Sequence, residues 1–277
     1  MYSLPLLATT LLLAGTESGW LTDYEKATTV AVKEKKDLVI YFRGAGELDD
    51  ALKNADVKEA LKKFVCLRVP LDYEYQGKKL LEHEALLEMI GKPGLAVISY
   101  HNAKLPTFGQ AISVHPMVSS RYRWVPAYGP AQIKITLELP AHATLSQRSM
   151  IYAVRVHPEV PQSVFSVCHP AFLEHAQRHS KQQANVQRQH HANLGSVMGW
   201  LQGRVDTGLG GASEVVAESW GRFVGGENVL EASFSCIDAW RHSPGHWGAV
   251  ARRHTYFGYD IAKGANGTWY ACGIFAR

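Results

Sequence analysis

The stretch "DLVIYF", Asp37 to Phe42, constrains this chain more than any other. It is a continuous apolar run with the length of a buried strand, and a buried strand needs covering layers. Its flanks supply them. "DYEKATTVAVKEKK" (23–36) reads as an amphipathic helix begun at an Asp cap, and "LDDALKNADVKEALKKF" carries apolar residues at helical spacing. "VCLRVPLD" then reads as a strand, "GKKLLEHEALLEMI" as helical, and "LAVISY", after the turn "GKPG", as a further strand. Helix and strand alternate, which predicts a mixed or parallel sheet covered by helices.

That order resembles the thioredoxin fold over residues 18–115. The resemblance places Pro93, in "GKPGLAVI", where that fold carries a cis-proline before a central strand. The loop after "DLVIYF" reads "RGAGELDD", where a redox-active member has Cys-x-x-Cys. Disulfide exchange needs a thiolate and a resolving thiol. Neither stands in this loop, and Cys66 falls inside an apparent strand. The expected role of this domain is structural or in binding, not thiol–disulfide oxidoreduction.

With 277 residues the chain is comfortable as two domains, and 46% apolar with 19% charged residues describes globular protein. The net charge of +4 is spread along the chain without a basic stripe interleaved with aromatics, so no nucleic-acid partner is expected. The apolar run Leu4 to Ala14 is too short to span a bilayer but suits the apolar core of a secretory signal over residues 1–17. No basic residue precedes it, and a buried first element is the alternative. Export places the protein in the secreted, periplasmic or cell-envelope compartment, with no integral membrane span. Cys66, Cys168, Cys236 and Cys272 form no CxxC pair, which excludes a ribbon-type zinc site. One disulfide among the last three is compatible with export; four buried free thiols are the alternative.

Residues 116–162 read as a β-rich connector, with runs such as "IKITLEL" and "SMIYAVRV" between Pro-containing turns. From 163 to 277 the pattern changes again. "HPAFLEHAQRHSKQQANVQRQHH" is helical, with Pro170 suited to a first turn, and a Gly-rich loop region follows, "GSVMGWLQGRVDTGLGGAS". Next come "EVVAESW", a helix "ENVLEASFSCIDAW", the turn "SPGH", and two antiparallel strands joined by "KGANG".

"DAWRHSPGHWGAV", with "HTYFGYDIA" and "GTWYACGIFA", resembles the C-terminal half of the CAP superfamily (cysteine-rich secretory proteins, antigen 5, pathogenesis-related proteins) in its bacterial form. Residues carrying the resemblance are Trp240, Ser243 to His246, Gly258, Trp269, Tyr270 and Phe275. The whole chain is therefore expected to combine α/β and α+β character: a thioredoxin-like domain followed by a CAP-type α-β-α sandwich.

The resemblance implies a cleft where His191, Glu218 and His246 converge, with Ser243 and Trp240 beside it. Two imidazoles and a carboxylate suit a divalent ion such as zinc with open positions for water. Ser243 stands where many members carry a second glutamate. Glu227, in "GGEN", matches a family motif more literally than Glu218 but opens directly into a helix, and His190 competes with its neighbour His191. His175 and His179, spaced i, i+4, also face one way on a helix; a packed or solvated pair is the reading preferred here. A histidine that merely bonds backbone carbonyls in its turn is the plainer account of His246.

Three functions follow as expectations. The first is an envelope module binding a metal or a small, lipid-like or cell-wall ligand. The second is a metal-assisted hydrolase of peptide or cell-wall substrate, with Glu218 as general base or water orienter. The third is a protein-interaction scaffold without an active site.

Overall fold

The computed structural model describes residues 19–205, 208–219 and 228–277. The segment 1–17 read as a signal and Glu227 lie outside the described residues. The chain is a mixed α/β protein with two four-stranded sheets.

The first sheet has the order β2-β1-β5-β6. Strand β1 (Leu38–Arg43) is the "LVIYF" run, buried from Leu38 to Phe42. It pairs parallel with β2 (Val65–Pro70) and antiparallel with β5 (Gly94–Ile98), which pairs antiparallel with β6 (Ala111–Pro116). Helix α1 (Tyr24–Glu34) starts where Asp23 accepts a hydrogen bond from Lys26 N, and α2 (Ala55–Leu61) starts on the Asn54 side chain. "GKKLLEHEALLEMI" is not one helix. It begins in a two-residue strand, β4 (Lys78–Lys79), paired with β3 (Glu74–Tyr75), and continues as two 3₁₀ segments, Leu80–Glu82 and Glu84–Met89. No cis peptide occurs among the described residues, Pro93 included, contrary to the expectation for that position.

The connector is helical, not β-rich. Helix α3 (Pro130–Leu137) takes "IKITL" and α4 (Leu145–Arg155) takes "SMIYAVR". Thr144 and Gln147 cap the start of α4 reciprocally, a Thr-x-x-Gln signature that competes with the β-branched runs. Helix α4 is buried from Gln147 to Val154 and lies between the sheets, in one core that includes residues of both. Its Arg148 is fully buried. The guanidinium donates to Ser113 Oγ (2.7 Å) and to the carbonyls of Thr136 (2.9 Å), Leu139 (3.1 Å) and Pro140 (3.2 Å), closing the end of α3.

The second sheet has the order β7-β9-β10-β8. Strands β9 (Tyr256–Lys263) and β10 (Trp269–Ala276) form the expected hairpin; β8 (Ala212–Glu218) pairs antiparallel with β10, and β7 (Val167–Cys168) parallel with β9. Helix α5 (Pro170–Val186) covers one face together with α6 (Leu194–Gln202), where Cys272, Ile274 and Ala276 meet Ala171, Phe172 and Ala176. Helices α4 and α7 (Val229–Arg241) cover the other face, where Phe257, Tyr259 and Phe275 meet Phe234 and Trp240. This is an α-β-α layering. Helix α6 occupies part of the stretch read as a Gly-rich loop, nucleated where Asn193 accepts from Ser196 N. "PGHWGAVA" is likewise a helix, α8 (Pro244–Ala251), with Pro244 in the first turn.

No disulfide joins Cys66, Cys168, Cys236 and Cys272. Cys236 is a core-facing residue of α7 and Cys272 lies on the α5 face, so the sheet itself separates them.

Candidate metal centre and its cleft

Helix α5 ends at Val186, where Gln187 turns left-handed (φ 53°), so His191 stands on the loop beyond the helix and not on it. The helix itself presents His175 and His179, one turn apart, against the sheet. They are 2% and 3% exposed, with rings stacked at 6.1 Å. Opposite them on β8 is Glu214, 7% exposed and facing α5.

Glu214 is the hub. Its Oε2 accepts from His191 Nδ1 at 3.1 Å and from Ala192 N at 2.8 Å. Its Oε1 lies 3.7 Å from His175 Nε2, 3.8 Å from His179 Nε2 and 3.7 Å from Cys272 Sγ. Burial alone raises the Glu214 carboxyl, but His175, the Ala192 N–H, His179 and His191 together hold it below the usual carboxylate range. Burial, then the charges of Glu214 and Asp260, push the Cys272 thiol well above its usual value.

The hydrogen bonds assign tautomers. His191 donates from Nδ1 to the carboxylate, which leaves an Nε2 lone pair. His179 donates from Nε2 to His190 O at 2.8 Å, and burial lowers its proton affinity. His175 Nδ1 accepts from Arg178 Nη2 at 3.3 Å, whereas its buried Nε2 has no hydrogen-bond partner. With Nδ1 accepting, the ring proton is on Nε2, and a cation held by Nε2 together with the carboxylate and the thiol requires that proton to move to Nδ1.

His175, Glu214 and Cys272 form a buried group that can hold a metal ion, their ligand atoms all within 4.8 Å of one another. Bonds of about 2.0–2.3 Å at tetrahedral angles separate ligand atoms by roughly 3.3–3.8 Å. The two 3.7 Å separations from Glu214 Oε1 fit that requirement. Above the group opens a cleft of about 410 Å³, walled by His175, Arg178, His179, His190, His191 and Trp200.

Two of the three residues expected to converge do so. The His191 and His246 rings are 5.7 Å apart, and His246, half-buried on α8, has its proton affinity lowered by burial and by His191. Glu218 is not the carboxylate. It ends β8 opposite Tyr270, four residues from Glu214, which at the rise of a strand is roughly 13 Å away. Trp240 is not a cleft residue: it is 1% exposed and packs on Tyr259 in the core of the opposite sheet face. Ser243 occupies the N-cap position of α8 without a side-chain capping bond. His190 contributes its carbonyl to His179 and a ring to the cleft wall. The i, i+4 histidine pair set aside in the sequence is central, and Glu214 and Cys272 were missed. Their signal was faint: Glu214 and Glu218 share strand parity, so alternation puts both on one face.

Fold and site together define a mixed α/β protein with a buried histidine–carboxylate–thiol group under an open cleft. No protein-family model, curated protein or solved structure matches the chain. Among the described residues no helix is long and apolar enough to cross a membrane.

Proposed function

We propose that the chain is a metal-binding module of the cell envelope, with a zinc ion held by His175, Glu214 and Cys272 and ligands received in the cleft above. The observation that carries this reading is the unpartnered, buried His175 Nε2 facing Glu214 Oε1 and Cys272 Sγ. An imidazole, a carboxylate and a thiolate are a donor set that suits zinc more than calcium or magnesium, which take oxygen. Three protein donors leave the fourth position to the cleft. The α5 and α7 layers around the β9–β10 hairpin, with His246 near His191, agree with the CAP-type sandwich inferred from "SPGH". The order and directions of the first sheet agree with a thioredoxin-like core. Its loop packs Gly44 against Pro93 and carries no thiol, while burial pushes Cys66 up to about 12.

Metal-assisted hydrolysis is the second reading, favoured by one observation: Glu214 orients His191 so that its Nε2 lone pair is free to serve as a base beside the cleft. In either reading the first-sheet domain supports and binds.

Calorimetric zinc titration of the full chain tests the proposal. The wild type is expected to bind one ion, Cys272→Ser to lose most of the affinity while keeping its melting temperature, and His246→Ala to retain it. Absence of saturable binding in the wild type overturns the reading. Loss on His246→Ala with retention in Cys272→Ser moves the ion to the cleft mouth.

A further inference from the structure

The cleft above the metal group carries a single fixed charge. Among the described residues that wall it, Arg178 is the one permanently charged side chain and none is acidic. The other polar groups facing it are imidazoles, amides and a hydroxyl. Glu214 lies beneath, its side chain fully buried.

Arg178 touches the metal group through one bond. Its Nη2 donates to His175 Nδ1 at 3.3 Å, and its guanidinium stands 4.5 Å over the Trp200 ring. A guanidinium has only protons to give, so this bond keeps the proton of His175 on Nε2, the nitrogen 3.7 Å from Glu214 Oε1. A metal ion on Nε2 reverses the ring. The proton then sits on Nδ1, and two donors, Nδ1–H and Nη2–H, face each other at a separation that suits a donor and an acceptor.

A metal-bound histidine gives its second ring proton to a carboxylate, a carbonyl or water, which fixes the ring and raises its basicity as a ligand. At His175 the fold supplies a donor in the place of that acceptor. An anionic oxygen entering from the cleft satisfies both groups, accepting from Nδ1–H and from Arg178 together. The charge count fits a monoanion. Zinc, the Glu214 carboxylate and the Cys272 thiolate sum to zero, so the guanidinium is the charge left to be matched. Its planar fork matches the two oxygens of a carboxylate.

We propose that the ligand received by the cleft is a carboxylate, held between Arg178 and the Nδ1–H of metal-bound His175, and that zinc and carboxylate bind cooperatively. The proposal rests on the zinc reading above and adds to it the ligand class and the coupling. Without zinc, a carboxylate must break the bond from Arg178 to His175 and meets a lone pair at Nδ1. With zinc, that bond is already broken and a proton is offered. The coupling is reciprocal, so the carboxylate strengthens zinc binding by the same factor.

The test titrates benzoate, with benzamide as its neutral counterpart, into the full chain with and without zinc, followed by calorimetry and by NMR of the histidine ring protons. Benzoate is expected to bind the zinc-loaded chain about tenfold more tightly than the zinc-free chain, and benzamide to gain nothing from zinc. The His175 Nδ1 proton, present only with zinc, is expected to move downfield as benzoate is added. Arg178→Met is expected to lose benzoate binding and to bind zinc about threefold more tightly, because nothing then holds the proton off Nδ1. Benzoate binding indifferent to zinc overturns the proposal and leaves the zinc reading standing. So does binding that survives in Arg178→Met with the Nδ1 proton unmoved, which is the mark of direct coordination to the ion, and so does weakened zinc binding in that variant. Absence of saturable zinc binding in the wild type overturns both readings.

Discussion

His191 Nδ1 lies 3.1 Å from Glu214 Oε2, while the other oxygen of the same carboxylate faces His175, His179 and Cys272. One side chain therefore joins the exposed loop after α5 to the buried layer beneath it. A change at Glu214 is felt on both sides. Glu214→Gln is expected to lower zinc affinity by about two orders of magnitude, read by calorimetry, since the amide is a poor ligand and leaves the buried histidines without their anion.

Zinc at His175 Nε2 requires the imidazole proton to sit on Nδ1, where Arg178 now donates. Arg178 must withdraw, and its guanidinium stands 4.5 Å over Trp200. Zinc is therefore expected to change Trp200 emission, and the change should vanish in Trp200→Phe. Calorimetric binding with unaltered emission would place the ion away from His175.

Burial, then Arg148, hold His115 down to about 3 in the folded chain, against an ordinary histidine near 6.5. Below 6.5 the unfolded chain takes up a proton that the native state refuses. The stability associated with neutral His115 is thus complete above about 6.5 and falls, by about 1.4 kcal/mol per pH unit, towards 3. Between pH 6.5 and 5 the wild type is expected to lose about 2 kcal/mol more than His115→Gln in urea melts. Asp260, raised to about 6 by burial, acts with the opposite sign but is common to both proteins and cancels in the difference.

Gly258 faces α5 at close quarters: a Cβ there would stand 2.6 Å from Leu173 N and closer still to the Phe172 carbonyl. Backbone cannot yield as a side chain does. Gly258→Ala is expected to cost about 3 kcal/mol in urea unfolding and to weaken zinc binding, because α5 carries His175 and His179.

Arg148→Lys keeps the charge and loses the fork. One ammonium cannot reach Ser113 and the carbonyls of Thr136, Leu139 and Pro140 together, so acceptors are left buried and unpaired. A loss on the order of 3 kcal/mol is expected from thermal or urea unfolding, without change in zinc affinity per folded molecule.

Local pattern was enough for β1, β2 and β5 of the first sheet, though not for β6. "DLVIYF" is β1 because five adjacent apolar residues satisfy both of its buried faces, and Asp23 starts α1 because its carboxylate takes an orphan N–H. The hairpin at the end of the chain and the pairing of His191 with His246 were legible too. Residues 130–155 were not. Ile and Val favour strands locally, but burial of Ile133 and Leu137 against the first sheet selects helix for α3, and the Thr144–Gln147 cap starts α4, which packs on both sheets.

The sequence by itself determined that β1 is buried, where α1 and α5 start, that the loop after β1 holds no redox thiol, and that eight of the 13 histidines fall after residue 168. Only the tertiary structure decided which of them work together. Period-two alternation puts Glu214 and Glu218 on the same face and cannot choose between them. The choice came from register: β8 pairs with β10 so that Glu214 lies diagonally across from Cys272 and beneath α5, whereas Glu218 falls opposite Tyr270. A register is set by the packing of whole strands and helices, and no residue type along one strand encodes it.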